Sequence, residues 1–475
     1  MAKFSFTAPK SKIFKHLPKA LMATGMWFIL FSLIFINMKV SFSKLTESNF
    51  LHLWGSGFLL ALLIIAGWVC LSFFERRVFL KNKNLLLIWV TFCLTAVAFE
   101  ACIAVPLNLY LLPIPGIAIL LALLLSPRAS FMVTLTFSLL FGLIAQGRPD
   151  LFLTMFLGGS LGIILNTNTR KRNQLLNAGI LIGILNFFVI TLLGLYEGQY
   201  LQAVLKDALW GFGGGIFTSF FVMGLLHIFE IGFNITTNIT LLELSDLNNP
   251  LLKDLILKAP GTYHHSLVVG NLAEAACDSI SANSLLARVG AYYHDIGKIE
   301  KPEYFSENEL ESKSRHTQLA PTMSALVIIK HVKDGLELAK KHKLPASLIN
   351  FIQQHHGTGL IYFFYQRALE KVKDESHLKE EDFRYPGPKP QTKETAVILL
   401  ADAVEASSRS LSDPTPAKIE ALTQKIINNK FIDGQLDECE LSLKDLNKIA
   451  TSFARILTGM FHSRISYPEV SNSST

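Results

Sequence analysis

The hydrophobic residues of this chain are concentrated in its first half, up to about Ile231, whereas charged residues and histidines dominate the second half. In the first half they form long runs separated by short polar segments, as in helices that cross a bilayer. In the second half they recur at helical spacing, and the alternating pattern of strands is absent. The pattern predicts an all-α protein, with a polytopic membrane domain followed by an all-helical soluble domain.

The membrane half contains eight apolar runs that we predict as spans, because a span needs roughly 20 mostly apolar residues. The fourth, fifth and sixth runs are short. The first run is too long for a secretory signal, and no clear small-residue cleavage site follows it. The predicted spans are Ala20–Asn37, His52–Phe74, Leu85–Ala104, Pro113–Leu125, Phe131–Gln146, Leu151–Leu165, Leu175–Leu195 and Ala208–Phe229.

Lysine and arginine residues are unevenly distributed among the polar segments between these runs. Arg76 and Arg77 follow the second run and Arg170–Arg172 follow the sixth, while the alternate loops carry fewer basic residues. Because cytoplasmic loops are enriched in lysine and arginine, the pattern predicts that both termini are cytoplasmic. Membrane orientation then explains the net charge of +7, and a nucleic acid polymer is not expected as a partner.

The same change in composition predicts the domain boundaries. We expect a cytoplasmic segment at 1–19, a transmembrane domain at 20–230 and a helical connector at 231–259. A soluble domain at 260–468 and a disordered tail at 469–475 follow. The glycines at 211 and 213–215 are expected to permit close helix packing. None of the 5 cysteines shows the spacing of a zinc or redox motif, so no disulfide framework is expected.

Helical periodicity is strong throughout the soluble half, where the segment Asp382–Gln391 contains three prolines and is predicted to be an extended loop. The candidate helices are His265–Ile280, Asn283–His294, Pro321–His342, Pro345–His355, Leu360–Val372, Lys393–Leu411, Pro416–Asn429 and Ser442–Tyr467.

Most of the 13 histidines lie in the soluble half, several beside an acid or another histidine. His294-Asp295 and His355-His356 each end a predicted helix, where both members of a pair can turn inward. Such imidazoles and carboxylates suit zinc, manganese or iron. Asp295 is placed to bridge two ions, and two metals about 3.5–4 Å apart activate water against a phosphodiester. The ordered set H…HD…H…HH…D predicts a two-metal phosphodiesterase.

Longer motifs surround these residues and cover nearly all of Pro260–Pro468. They include TYHHSLVVGNLAEAA, ARVGAYYHDIGK, QQHHGTGL and EDFRYPGPKPQTKETAVILLADAVEASSRSL. In them the chain resembles the seven-transmembrane-receptor HD hydrolases of the PgpH type, which are bacterial cyclic di-AMP phosphodiesterases. Family members usually carry a large extracytoplasmic domain between the first and second spans. Here only about Met38–Leu51 occupies that position.

The resemblance implies a function, cofactors and a location. The expected reaction is hydrolysis of cyclic di-AMP to the linear dinucleotide pApA. Two divalent transition-metal ions, manganese or iron, are the expected cofactors. The protein is expected in the bacterial cell membrane as a multi-pass protein whose catalytic domain is cytoplasmic. The bilayer and a cyclic dinucleotide are the expected partners, and homo-oligomerisation is left open.

The resemblance also implies which residues hold the ions. Asp295 is expected to contact both ions, and we take His265, not its neighbour His264, as the first histidine of the family pattern. The first ion is assigned to His265, His294, Asp295 and Asp402, and the second to Asp295, His331, His355 and His356.

Three further residues are candidates for the reaction or for substrate binding. Lys298 follows the His-Asp pair by about one helical turn, and either reaches a phosphate or forms an exposed salt bridge. Asp295 and Lys298 are therefore the candidate catalytic residues. Tyr362 and Tyr365 are candidates for stacking on adenine. They belong to an aromatic run, residues 362–365, of which at least two members are expected to pack in the core.

Two other functions compete with this interpretation. HD enzymes that cleave cyclic di-GMP often carry a GYP signature after the paired histidines, and no such signature follows His356. Guanosine tetraphosphate and deoxynucleotides are further candidate substrates. A membrane receptor that binds a nucleotide without turnover is the second alternative. Loss of a metal ligand would favour it, but every expected ligand is present.

Overall fold

The computed structural model describes residues 11–37, 47–105, 107–167, 169–309, 315–371 and 378–461. The chain divides into two compact units, residues 1–239 and 240–475. Helices make up both units, and the described ranges contain no strand beyond an isolated bridge between Leu360 and Arg384. The predicted all-α class is therefore confirmed. Most of the predicted loop Met38–Leu51, the segment 462–468 and the predicted tail 469–475 lie outside the described residues.

The membrane unit is built from helices joined mostly by short connections. They are α1 (Ser11–Asn37), α2 (Glu47–Phe74), α3 (Arg76–Leu80), α4 (Asn82–Ala104), α5 (Ile114–Leu124), α6 (Pro127–Ile144), α7 (Pro149–Asn166), α8 (Arg172–Tyr196) and α9 (Leu201–Gly232).

Six described helices are long and apolar enough to cross a membrane, so the predicted number of eight spans is wrong. The predicted spans Ala20–Asn37 and Pro113–Leu125 correspond to the shorter apolar segments Pro18–Ile34 and Leu109–Leu124. At about 1.5 Å per residue, such segments fall short of a hydrocarbon core roughly 30 Å thick. The six are Phe50–Phe74, Asn82–Ala104, Pro127–Ile144, Pro149–Asn166, Arg172–Tyr196 and Leu201–Gly232.

Helices α8 and α9 pack closely because glycines face each other where they meet. A Cβ built on Gly215 would lie only 2.2 Å from the backbone nitrogen of Gly183. A Cβ built on Gly211 would lie 2.2 Å from the Cδ1 atom of Ile190. Larger side chains would separate the two helices. The expectation that these glycines permit close packing is confirmed for Gly211 and Gly215.

In the soluble unit, local signals explain where many helices begin. Prolines at 250, 260, 321 and 416 are the first residues of their helices, a position that does not need the missing N–H. The side chain of Thr392 caps the helix that carries Asp402 by accepting from the Thr395 N–H. The helices are α10 (Asn238–Leu244), α11 (Pro250–Lys258), α12 (Pro260–Ser279), α13 (Ser284–Tyr293), α14 (Pro321–Lys341), α15 (Ala346–Gln354), α16 (Tyr362–Leu369), α17 (Lys393–Ser408), α18 (Pro416–Ile432) and α19 (Leu443–Phe461).

The leucines of the predicted connector belong to the core of this unit. Leu241, Leu251 and Leu255 are almost fully buried, in one apolar cluster with residues of α12 and α17 such as Leu272 and Leu399. Burial of a leucine side chain stabilises a fold by about 1.5–3 kcal/mol. Packing of α10 and α11 into the core therefore explains the apolar periodicity of this segment.

Candidate metal centre

The His294-Asp295 pair lies in a sharp turn between α13, which ends at Tyr293, and a 3₁₀ turn over Ile296–Glu300. This turn packs directly on α14 because Gly297 has no side chain. A Cβ built on Gly297 would lie 1.8 Å from the carbonyl oxygen of His331. The glycine after the pair thus allows the close approach that brings Asp295 beside His331, which lies midway along α14.

The remaining ligand candidates come from three other helices. His265 lies on α12, and its Nε2 atom is 3.0 Å from the Oδ1 atom of Asp402 on α17. His355 and His356 follow the last residue of α15, so the prediction that both pairs end helices is confirmed. His264 is exposed, whereas His265 is buried, which is consistent with the choice of His265.

The seven predicted ligands come together in two groups. Asp295, His331, His355 and His356 form one group, and His265, His294 and Asp402 form the other. Within each, the ligand atoms lie within 4.8 Å of one another.

The two oxygens of Asp295 face different histidines. Its Oδ2 atom lies 3.2 Å from Nε2 of His294 and 3.6 Å from Nε2 of His265. Its Oδ1 atom lies 3.3 Å from Nε2 of His331 and 3.5 Å from Nε2 of His355. This is the arrangement that a carboxylate needs to bridge two cations.

Backbone and side-chain acceptors orient the imidazole rings toward this carboxylate. Nδ1 of His294 donates to the carbonyl of Ala291 at 2.6 Å, and Nδ1 of His331 donates to that of Ile328 at 2.6 Å. Because Nδ1 carries the hydrogen, the Nε2 atom of each ring presents a lone pair to the centre. In the described part of the chain, Nε2 of His294 and Oδ1 of Asp295 are buried without a hydrogen-bond partner. Bound cations would satisfy these atoms, so the donor set fits divalent metals.

Burial and neighbouring groups set the charges of the ligands in different directions. Burial lowers the pKa of His331 to about 3, which keeps that imidazole neutral. Burial alone would raise the pKa of Asp402, but the hydrogen bond from His265 and nearby imidazoles outweigh it and hold that pKa well below its usual range. For His265, hydrogen bonds to Asp402 and Glu405 outweigh burial and raise its pKa to about 10. A metal must therefore displace a proton from His265.

Lys298 forms a buried ion pair, not the exposed one considered from the sequence. Its side chain is 12% exposed, and its Nζ atom lies 2.8 Å from Oδ2 of Asp295 and 2.7 Å from Oε1 of Glu307. The two carboxylates raise the pKa of Lys298 despite the opposing effect of burial. Lys298 therefore stays charged and fixes the orientation of Asp295, and it also lines the cleft described next.

A cleft of about 1090 Å³ lies over the centre and has His331, His356 and Asp402 in its wall. Tyr362 also lines it and is 65% exposed. Tyr365 is not among the described residues that line the cleft. Its ring packs edge-on against Phe383, with 5.6 Å between the centroids. The structure thus places only the first of the two candidate tyrosines at the cleft.

Three residues near the centre were missed by the sequence analysis. Glu405 accepts from Nδ1 of His265 at 2.5 Å, and its spacing from Asp402, one helical turn, was an available signal. Tyr385 stacks on His356 with 4.2 Å between ring centroids. Lys430 lines the cleft. No local signal marks Tyr385 or Lys430, since the proline-rich loop and α18 reach the site only in the folded chain.

Family models match both units of the chain. Residues 50–237 match the model described as 7TM receptor with intracellular HD hydrolase. Residues 262–407 match that of the HD domain. The chain belongs to the family of 7TM receptors with an intracellular HD hydrolase, and it is a multi-pass membrane protein.

Two curated relatives share the same name. The chain is 41% identical over 368 residues to the cyclic-di-AMP phosphodiesterase PgpH of Bacillus subtilis, covering 76% of this chain and 51% of that protein. It is 39% identical over 364 residues to PgpH of Listeria monocytogenes, covering 76% and 50%. The chain thus spans about half the length of these relatives. A crystal structure of the L. monocytogenes PgpH HD domain in complex with cyclic-di-AMP is 48% identical, with a TM-score of 0.43, and covers 46% of this chain and all of that one.

Proposed function

We propose that this chain is a membrane-bound, metal-dependent phosphodiesterase that hydrolyses cyclic di-AMP to pApA. The observation that carries the proposal is the pair of ligand groups on either side of Asp295, at the wall of a cleft large enough for a dinucleotide. The names of the two curated relatives support the substrate.

In this proposal, His265, His294 and Asp402 would hold one divalent ion, His331, His355 and His356 would hold the other, and Asp295 would serve both. When bound, the two ions activate water and neutralise the charge of the phosphodiester. In-line attack of the water oxygen on phosphorus would form the new P–O bond and break the P–O3′ bond. One proton of that water ends on O3′, which leaves a 5′-phosphate and a 3′-hydroxyl. Opening one of the two diester bonds of cyclic di-AMP in this way gives pApA.

Side chains around the centre position the metal ligands and the substrate. Lys298 holds the Asp295 carboxylate in its bridging orientation, and its ammonium in the cleft wall attracts the phosphate. Glu405 holds the His265 ring through Nδ1, which directs Nε2 toward the ion. The exposed ring of Tyr362 offers a surface on which adenine can stack. For Tyr365, its contact with Phe383 favours a packing role.

Imidazole and carboxylate ligands favour manganese or iron, and zinc is the third candidate. Cyclic di-GMP, guanosine tetraphosphate and deoxynucleotides remain the competing substrates. A receptor that binds cyclic di-AMP without hydrolysing it is the competing function from another class.

For membrane orientation, we propose that the HD domain and Arg170–Arg172 are cytoplasmic. Two spans, α8 and α9, separate these basic residues from the end of the membrane unit, so both emerge on the same side. If only α4, α6 and α7 cross the membrane between them, Arg76 and Arg77 lie on the opposite side from Arg170–Arg172. A cytoplasmic location for Arg76 and Arg77 therefore requires one more crossing, between α4 and α6. Helix α5 is the candidate, although its apolar segment is short.

The test uses the full chain, purified in detergent and loaded with manganese or iron. Turnover of cyclic di-AMP, cyclic di-GMP, guanosine tetraphosphate and a deoxynucleoside triphosphate is followed by chromatography. We expect cyclic di-AMP to be cleaved fastest, with pApA as product. Faster cleavage of cyclic di-GMP would reject cyclic di-AMP as the main substrate. Binding of cyclic di-AMP without turnover by any metal-loaded form would favour the receptor.

A further inference from the structure

Lys430 is a cation in the cleft wall, close to the metal centre. It lies on α18, its side chain is half-buried and it lines the same cleft as His356 and Asp402. A Cβ built on Gly359 would lie 3.4 Å from its Nζ atom. The ammonium therefore sits over the turn that follows His356.

In the described part of the chain, this ammonium has no hydrogen-bond acceptor or ion-pair partner, and the nearby carboxylates of Asp402 and Asp433 have other partners. Asp433 accepts from Arg384 at 3.2 Å through Oδ1 and from Gln435 at 2.9 Å through Oδ2. Asp402 contacts His265 and His356 with its two oxygens. Arg384 is itself held by Glu380 and by the carbonyl of Thr358. Of the two cations beside Asp433, Arg384 and Lys430, only Lys430 lacks a partner in the described part of the chain.

A half-buried cation without a partner is costly, and a bound anion would remove that cost. Burial lowers the pKa of Lys430, which reflects the same cost. A ligand bound in the cleft can supply this anion, because Lys430 lines the cleft and the neighbouring carboxylates already contact other groups. A lysine ammonium acts as a compact point charge, which suits a phosphate better than a base edge.

We propose that Lys430 binds the second phosphate of a cyclic dinucleotide, the one that is not being hydrolysed. This inference rests on the proposed function and deepens it. A cyclic dinucleotide carries two phosphodiesters, and the metal centre engages only one at a time. The other needs a positive partner elsewhere in the cleft, and Lys430 lies on a different helix from all the proposed metal ligands. Lys430 is therefore a binding residue for the substrate class, and not for a particular base.

The test compares Lys430→Met and Lys430→Arg with a matched control, Lys425→Met, in the manganese-loaded full chain. Lys425 lies on the same helix, is exposed and does not line the cleft. Three substrates are compared: cyclic di-AMP, cyclic di-GMP and bis(p-nitrophenyl) phosphate, which has one phosphodiester and no second phosphate. Thermal unfolding is measured with and without cyclic di-AMP.

Loss of a charged hydrogen bond to phosphate reduces binding by about tenfold or more. We expect Lys430→Met to raise KM for both cyclic dinucleotides by that factor and to affect bis(p-nitrophenyl) phosphate several-fold less. Lys430→Arg should retain most of the affinity, and Lys425→Met should behave as wild type. Without ligand, Lys430→Met should unfold no earlier than wild type, since it removes an unpaired cation.

Three results would overturn the inference. The first is an equal loss on all three substrates, which would indicate a general effect on the metal centre. The second is a rise in KM for only one of the two cyclic dinucleotides, which would indicate that Lys430 contacts the base. The third is unchanged KM in Lys430→Met. Failure of the proposed function would give a different result, because the wild-type protein itself would then turn over no cyclic dinucleotide. The inference about Lys430 would fall with it.

Discussion

The Nε2 atoms of His331 and His355 lie 3.2 Å apart. Nδ1 of His331 donates to the carbonyl of Ile328, and Nδ1 of His355 lies 3.0 Å from the carbonyls of Phe351 and Ile352. In the neutral tautomers that donate from Nδ1 to these carbonyls, each Nε2 atom directs a lone pair toward the other. Two neutral imidazoles in these tautomers cannot hydrogen-bond to each other and repel. A divalent cation held by both nitrogens would replace this repulsion with two favourable interactions.

Metal removal should therefore destabilise the protein as well as inactivate it. A ligand present at about 100 times its Kd stabilises a fold by about 2.7 kcal/mol, which corresponds to a Tm shift of roughly 5–10 °C for a domain of this size. We expect chelation to lower the Tm of the full chain by this order and manganese to restore it. Magnesium, which prefers oxygen ligands, serves as the control. An unchanged Tm after verified metal loss would contradict the proposed centre.

Substitution of Asp295 should remove the bridge between the ions. Asp295→Asn keeps the shape but halves the acceptor capacity and removes the charge that holds two cations together. We expect turnover to fall by about three orders of magnitude or more, with less bound metal per chain by elemental analysis. His264→Ala, at the exposed neighbour of His265, should keep most of the activity. A folded Asp295→Asn protein with two metals and near-full turnover would show that Asp295 does not bridge.

Glu405 should act on metal affinity through His265. Replacing a carboxylate that hydrogen-bonds to a metal-binding histidine typically weakens metal affinity by about 10–100-fold. We expect Glu405→Gln to raise the manganese concentration for half-maximal activity by this factor, while excess manganese restores most of the turnover. Glu394→Gln, at the first turn of the same helix, should not change the manganese requirement. A turnover deficit in Glu405→Gln that excess metal does not correct would point to another role.

Gly297 should be required for the approach of the His-Asp turn to α14. Gly297→Ala places a Cβ against the carbonyl of His331 and forces the turn and helix apart. We expect a loss of stability of about 1–3 kcal/mol and reduced activity, because His331 moves away from Asp295. Gly459→Ala, at an exposed position of α19 with open space around it, should be neutral or slightly stabilising. Equal behaviour of the two variants in unfolding and turnover would count against this role.

Membrane orientation can be measured by labelling single cysteines introduced into a variant without native cysteines. We expect Lys171→Cys to react only after the membrane is permeabilised and Glu197→Cys, at the other end of α8, to react from outside. Reaction of Lys171→Cys from outside would reverse the proposed orientation. Arg76→Cys tests α5. If the cysteine of Arg76→Cys is protected from the external label, α5 crosses the bilayer. If it reacts with the external label, α5 does not cross.

The sequence alone determined the helical class and the seven residues that the folded chain brings together. Apolar runs and helical periodicity are local properties, and helix ends are marked by prolines and capping residues close in sequence, such as Pro260 and Thr392. The His-Asp and His-His pairs were recognisable for the same reason, because each pair is contiguous and ends its own helix. The family resemblance then assigned them to one centre.

Only the tertiary structure decided how these helices are used and what surrounds the ligands. Apolar composition did not show that α5 is short and buried on most sides by other helices. Tyr365 contacts Phe383, and Glu405 accepts a hydrogen bond from His265, in each case across two different elements. Lys430 reaches the cleft from a third element, α18. The direction of a side chain and the partners that it lacks depend on packing between distant segments, and no local pattern in the sequence records that packing.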